Sequence, residues 1–261
     1  TGRLSSTEPN LQNIPIRTEL GSELRRMFVP RPGWVLVDAD YSQIELRVLA
    51  HIAGDRLMQQ AFLSGEDIHR ATAAQVFGVA PGDVTPEMRR HAKAVNFGIV
   101  YGISEFSLAE DIGVTRAEAK AYIDSYLARY EGVRRYMHDI VDFARENGYV
   151  ATMFGRRRDL PDIHSKNFNV RSAAERIALN TPIQGTAADI IKIAMLRTAD
   201  ALAPLRAQLV LQIHDELIVE CPREEAEQVK KLVTEAMEGA AQLAVPLSAE
   251  AKIGESWYDA K

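Results

Sequence analysis

Four residues at four-residue spacing, Arg89, Lys93, Phe97 and Tyr101, form the most specific chemical pattern in the chain. At 3.6 residues per turn they make one helical stripe that drifts by roughly 40° per step. Met88, Ala92, Val95, Ile99 and Ile103 fall on a different face and supply core contact, so the two faces do not compete. Two cations a turn apart, followed by two aromatics, suit an extended ligand with phosphates at one end and a flat ring or sugar at the other. Arg89 and Lys93 would take phosphate oxygens and Phe97 would stack. A solvated basic turn followed by buried aromatics fits the same spacing. Gly98 and Gly102 are costly inside a helix, which points to close approach of some group to the backbone there. With no P-loop and no dinucleotide fingerprint, phosphates would be held by side chains and metal rather than by a glycine-rich nest.

Two acids stand apart from the rest. Asp40 closes an apolar run and Asp215 lies between two others, in His214-Asp215-Glu216. Carboxylates held together at strand ends can bridge hard divalent cations through oxygen, although aspartate also favours turns and caps for its own sake. Asp38 would share a strand face with Asp40, either as part of that site or as a solvated edge charge. Between residues 154 and 176 six basic residues (Arg156, Arg157, Arg158, Lys166, Arg171, Arg176) face three acidic ones. Such a stretch could track a phosphate backbone or simply be a solvated face; Asn180 and Gln184 nearby are types that hydrogen-bond base edges or sugars.

These residues need elements to hold them. GWVLVDADYS (residues 33–42) has the alternation of a strand and 43–53 switches to helical spacing, so Asp40 falls where a strand gives way to a helix. Helices are predicted over 67–77, closed by Gly78, and over 86–103, opened by Thr85-Pro86. A capping box from Thr115 to Glu118 opens a long helix, interrupted near Gly132 and ended at Gly148; its Tyr122, Tyr126 and Tyr130 read as core rather than a base-stacking platform. The turn FGRRRDLP (154–161) precedes two helices separated at Thr181-Pro182, the second starting near Thr186. LVLQIHDELIVE (209–220) reads as a hairpin with His214, Asp215 and Glu216 at its tip, 224–239 as a charged amphipathic helix, and 245–253 as a last strand. The class is α+β: a sheet assembled from both chain ends, interrupted by a helical insertion. The first 17 residues read as irregular and, lacking an initiator methionine, as cut from something longer.

The 261 residues carry 46% hydrophobic and 26% charged side chains, enough for a sizeable core and incompatible with disorder. The single cysteine, Cys221, excludes an internal disulfide and reads as a small packed residue; no Cys/His spacing suits zinc, and a reducing compartment is expected. The other histidines, His51, His91, His138 and His164, read as structural or surface groups. No apolar stretch reaches the roughly 18 residues of a membrane span, so a soluble protein is expected. The net charge of −5 argues at face value against a polyanionic partner, but residues 215–261 alone hold eleven acidic against five basic groups.

Taken together, these segments resemble the bacterial DNA polymerase I family (family A DNA polymerases). The resemblance rests on DYSQIELR (40–47), RRHAKAVNFGIVYG (89–102) and HDE (214–216), in the family's order, with TGRLSS, NLQNIP and TPIQGTAAD beside them. It implies a palm of residues 1–45 and 180–261 with fingers of 46–179 inserted, and neither thumb nor exonuclease domain in this stretch. It implies that Asp40 and Asp215, with the Tyr41 carbonyl, hold two Mg²⁺ ions (Mn²⁺ as substitute), with Glu216 in support. Arg89 and Lys93 would hold an incoming dNTP, Lys93 protonating the leaving group, while Gln43 and His69 line the nucleotide site. Phe97 would pack on sugar and base, Tyr101 would occupy the templating position until closure, and Glu45 would exclude a 2′-hydroxyl. His214, Arg3, Asn13, Arg176, Asn180 and Gln184 would contact primer–template DNA. Phe rather than Tyr at position 97 implies discrimination against dideoxynucleotides. The expected protein is a monomeric, cytoplasmic, nucleoid-associated enzyme of bacterial replication and repair that binds primer–template weakly without a thumb. A two-metal nuclease or phosphoesterase shares the paired acids but has no need of the 89–101 stripe, and a DNA-binding module needs neither.

Overall fold

The computed structural model describes residues 1–14 and 19–261, so positions 15–17 of the irregular opening lie outside the described residues. The chain forms two compact units, one of Thr1–Ile44, Ala187–Gln242 and Leu247–Lys261, the other of Glu45–Thr186 and Leu243–Pro246.

The first unit is built on an antiparallel sheet. After a short helix α1 (Glu19–Glu23), strand β1 (Trp34–Tyr41) sits between β5 (Glu216–Pro222) and β6 (Ala249–Gly254), with β4 (Gln208–Ile213) beyond β5. Because side chains alternate along a strand, β1 carries two different faces. Val35, Val37 and Ala39 are buried with Cys221, Val219 and Leu217, their cross-strand partners; Tyr41, opposite Ala249, is buried too, and its hydroxyl donates to the Met237 carbonyl of helix α10 (Ala226–Glu238) at 2.5 Å. Burial pushes the Cys221 thiol up to about 11, keeping it an inert packing group. The other face begins apolar, with Leu36 and Ile218 against Trp257, and becomes acidic at Asp38 and Asp40. The α+β class is what the structure shows.

The second unit is helical. It contains α2 (Ile44–Ile52), α3 (Arg56–Leu63), α4 (Ile68–Phe77), α5 (Pro86–Val100), α6 (Glu105–Ile112), α7 (Arg116–Arg129) and α8 (Glu131–Asn147), then a ribbon of β2 (Tyr149–Ala151) and β3 (Arg157–Asp159). Gly78, left-handed, and the capping box of Thr115 with Glu118 are the caps the sequence announces, while Asp67 is the N-cap of α4 rather than its first residue, accepting from the His69 and Arg70 amides. Tyr126 and Tyr130 are core, with ring centroids 4.8 Å apart, and the helix break falls at Tyr130 rather than near Gly132.

Three expectations are corrected. The two helices predicted around Pro182 are one, α9 (Phe168–Leu202), whose residues up to Thr186 belong to the helical unit and the rest to the sheet unit. Proline removes one amide from the helical ladder, but neighbouring carbonyls are taken by side chains from elsewhere: the Tyr136 hydroxyl donates to Leu179 O and Arg156 Nη2 to Gly185 O, both at 3.0 Å. Helix α5 stops at Val100, since the Tyr101 amide folds back onto the Phe97, Gly98 and Ile99 carbonyls and Gly102 turns left-handed. Glu216 is not at a hairpin tip but is the first residue of β5; the turn is His214-Asp215 alone, with His214 at φ 51°. Among the described residues no helix is long and apolar enough to cross a membrane.

Candidate functional site

In the sheet unit the register assembles an acidic row. Asp40 pairs with Glu216 on β5 and with Glu250 on β6, so three carboxylates cross adjacent strands at one level of one face. The Lys261 ammonium donates to Asp40 Oδ2 at 3.2 Å and to Glu216 Oε2. Arg25, 3% exposed, stacks on Trp257 at 4.1 Å and reaches Glu216 Oε1 at 3.9 Å. Asp38 is no solvated edge charge: it is buried, accepts from Trp257 Nε1 at 3.2 Å, and has its carboxyl pushed up to about 7, by burial first and then by Glu216. Asp215 is held at the end of β1 by its carbonyl, which accepts from the Tyr41 amide at 3.1 Å. The Tyr41 phenol is committed to α10 and its amide to Asp215.

Among the described residues no three Asp, Glu, His or Cys side chains gather closely enough to hold a metal ion by themselves, but the donors present are of the type a hard divalent cation takes. Asp40 Oδ1 and Glu216 Oε1 are buried without hydrogen-bond partners, and oxygen is the ligand type such ions require. Lys261, Arg25, Trp257 and Glu250 escaped sequence reasoning, since only strand register and long-range packing bring them to Asp40.

In the helical unit the predicted stripe on α5 exists. Arg89 Nε pairs with Asp67 Oδ2 at 2.6 Å; although burial works to raise it, the Asp67 carboxyl is held below its ordinary value by that bond, by the α4 amides and by the nearby guanidinium charge. Lys93 is exposed, its ammonium 6.0 Å above the Phe97 ring. His69, 2% exposed, lies 5.8 Å from Phe97, and its Nδ1 accepts from Asn96 Nδ2 at 3.0 Å, which puts the ring proton on Nε2. Asn96 in turn is held by the Thr72 hydroxyl, 3.2 Å away. No sequence signal marked Asn96, which looks like one more polar residue within the helix. The Tyr101 hydroxyl donates to Glu45 Oε2 at 2.9 Å, joining the end of the stripe to the first turn of α2.

The groups that approach the α5 glycines are the chain's own. A Cβ at Gly98 would lie 2.7 Å from Ile103 Cγ2, and one at Gly102 would lie 3.3 Å from Arg176 Cγ. Arg176, Asn180 and Gln184 recur every four residues on α9, a second stripe whose first member lies beside Gly102. Of the remaining candidates, His214 and Gln43 hold left-handed backbone at either side of the acidic row's elements, Arg3 is exposed, and Asn13 ends a capped 3-10 turn.

Residues 1–259 match the sequence profile of DNA polymerase family A. The chain belongs to that family. It is 58% identical to the DNA polymerase I proteins of Geobacillus stearothermophilus and Bacillus subtilis over 264 aligned residues, covering all of this chain but 30% of each relative's length. A solved structure described as the POL domain of Pol1 from M. smegmatis in complex with DNA primer-template and dNTP superposes with a TM-score of 0.95 at 49% identity, over 99% of this chain and 46% of that one. In this family A chain DYSQIELR runs from the end of β1 into α2, RRHAKAVNFGIVYG is helix α5 and its cap, and HDE is the β4–β5 turn with the first residue of β5.

The buried neutral imidazole has a measurable consequence. Burial, foremost, holds the folded His69 pKa at about 4 against an ordinary 6.5, with Arg89 and Lys93 assisting and Asp67 opposing. A depressed folded value means that the unfolded chain takes up the proton first. Stability is therefore fully present above pH 6.5 and is lost as pH falls toward 4, by up to about 3 kcal/mol. Urea unfolding of the wild type at pH 7.5 and 5 should show this loss, and His69→Gln should shrink it; an unchanged slope in the variant would contradict the neutral assignment.

Proposed function

We propose that this chain is the catalytic region of a template-directed DNA polymerase that transfers a nucleotidyl group from a dNTP to a primer 3′-hydroxyl, releasing pyrophosphate. The observation that carries the reading is the α5 stripe, with Arg89 tied to Asp67 at its start and Tyr101 tied to Glu45 at its end, in a chain of family A. A phosphoesterase would need the acids but not the stripe. Residues 1–45 and 180–261 are read as palm and residues 46–179 as fingers.

Primer–template DNA and dNTPs are the substrates in this reading. Arg89 and Lys93 bind the triphosphate, and the His69 Nε2–H is set to donate to it because Asn96 occupies Nδ1. Phe97 packs on the incoming sugar and base, and Gln43 is read as a nucleotide contact. Glu45, held by Tyr101, closes the space a 2′-hydroxyl would need, and Tyr101 occupies the templating position before the fingers close. Arg176, Asn180 and Gln184 follow the duplex near its end, joined by Arg3, Asn13 and His214; acceptors in the minor groove are nearly independent of sequence, as copying requires. Two divalent cations held by Asp40, Asp215 and the Tyr41 carbonyl, supported by Glu216, would supply Lewis acidity to the 3′-hydroxyl and neutralise charge on the phosphates. The primer 3′-hydroxyl gives its proton to water as its oxygen bonds to the α-phosphorus and the bond from that phosphorus to the β-phosphate oxygen breaks, and Lys93 delivers a proton to the departing pyrophosphate.

The deciding experiment is extension of a labelled primer by the full-length protein with Mg²⁺ and dNTPs. Template-dependent lengthening is expected; shortening would establish a phosphoesterase, and binding without either a DNA-binding module. Phe97→Tyr should also raise chain terminator incorporation relative to normal dNTPs, since the ring sits where the sugar is read. Unchanged terminator use would remove Phe97 from the sugar contact.

A further inference from the structure

The acidic row contains a problem that the sheet by itself does not solve. Glu216, Asp40 and Glu250 sit side by side on β5, β1 and β6, with Asp38 one step along the same face. Like charges directly opposed across strands repel, and three of these four residues are buried or half-buried. Two cations of the same unit meet them. Arg25 lies against Trp257, and among the described residues its Nη1 approaches Glu216 Oε1 at 3.9 Å and no other acid of the row. Lys261 is different, because its single ammonium contacts Asp40 Oδ2 and Glu216 Oε2 together and is thereby a bridge between the two strands. The face it closes is a small cavity of about 90 Å³ lined by Asp38, Asp40, Glu250, Lys252, Ala260 and Lys261. Lys252 lines the same cavity from β6 but forms no ion pair with the row among the described residues.

We infer that the Lys261 ammonium is the resident cation of this carboxylate row, holding Asp40 and Glu216 together when no divalent ion is bound and competing with that ion for the charge of the same two carboxylates. The inference rests on the reading of Asp40 as a metal ligand. An ammonium and a divalent cation drawn to one carboxylate pair repel each other, so a metal ion entering at Asp40 must displace Lys261 or bind against its charge. Lys261 is on this account a positioning residue: it keeps the apo site assembled and sets how tightly the metal is held, without touching substrate.

The test uses the full-length protein free of DNA, with Mn²⁺ as probe, followed by electron paramagnetic resonance of the free ion and by the melting temperature. Lys261→Met should bind Mn²⁺ roughly tenfold more tightly than wild type, as expected for removing one unit charge a few ångströms from a divalent ion. Its melting temperature without metal should fall, and the rise on adding Mn²⁺ should exceed that of the wild type. Lys261→Arg, which keeps the charge, should bind as wild type does, and Lys252→Met should leave affinity within about twofold. Equal or weaker Mn²⁺ binding by a folded Lys261→Met protein would overturn the inference, and so would an equal gain in Lys252→Met, since the effect would then be general surface charge. If Asp40→Asn leaves Mn²⁺ binding unchanged, the metal-ligand reading itself fails; if Asp40→Asn abolishes binding while Lys261→Met does not tighten it, only the competition fails.

Discussion

Asp40→Asn and Asp215→Asn should each lower the rate of nucleotide incorporation by roughly a thousandfold or more, about 4 kcal/mol of transition-state stabilisation, while primer–template binding stays within severalfold of wild type. The size follows from the role. A carboxylate that holds a divalent cation against the reacting oxygens is engaged most strongly where charge develops, so its loss falls on the chemical step. The structure makes this a clean experiment. Asn is nearly isosteric with Asp, and at Asp40 it removes one of three carboxylates aligned across β5, β1 and β6, so repulsion with Glu216 and Glu250 falls rather than rises. The folded state should change little in stability, since the repulsion removed offsets the weakened pairing with Lys261, and chemical unfolding of the variant beside single-turnover incorporation separates the two effects. Incorporation within about tenfold of wild type in either variant would displace that aspartate from the catalytic centre.

The second large effect concerns Lys93, which stands exposed above Phe97 while Arg89 one turn earlier is already paired with Asp67. If Lys93 both grips the triphosphate and gives a proton to pyrophosphate, two substitutions should divide those tasks. Lys93→Ala should lower kcat/KM by roughly 10³-fold, since general acid catalysis alone is worth about 10² to 10⁴. Lys93→Arg keeps the charge but offers a group that does not give up its proton, so KM for dNTP should stay near wild type while kcat falls about a hundredfold. Steady-state kinetics with varied dNTP checks both. A Lys93→Arg enzyme with normal kcat would make Lys93 a phosphate contact only.

The α5 stripe and the helix caps were legible because they are local. Four residues at four-residue spacing, or a Thr and a Glu three apart, are determined by helical geometry whatever surrounds them. Asp40 at the end of an apolar strand was legible for the same reason, and the overall charge of −5 misled only until it was resolved along the chain. Pro182 shows the opposite case. Its local signal is a helix break, yet α9 runs through it from Phe168 to Leu202, with Tyr136 and Arg156, far away in sequence, donating to carbonyls of the same helix.

The sequence alone determined the composition class, the periods of strand and helix, and the chemical types at Asp40, Asp215, Arg89, Lys93, Phe97 and Tyr101. Tertiary structure decided that Glu216 rather than Asp215 faces Asp40 in the ladder, that Asp38 is buried against Trp257, and that Lys261 bridges the acids. The reason is physical: periodicity is written in neighbouring residues, whereas register and the neutralisation of buried charge depend on which distant strands pair, and no spacing along the chain encodes that.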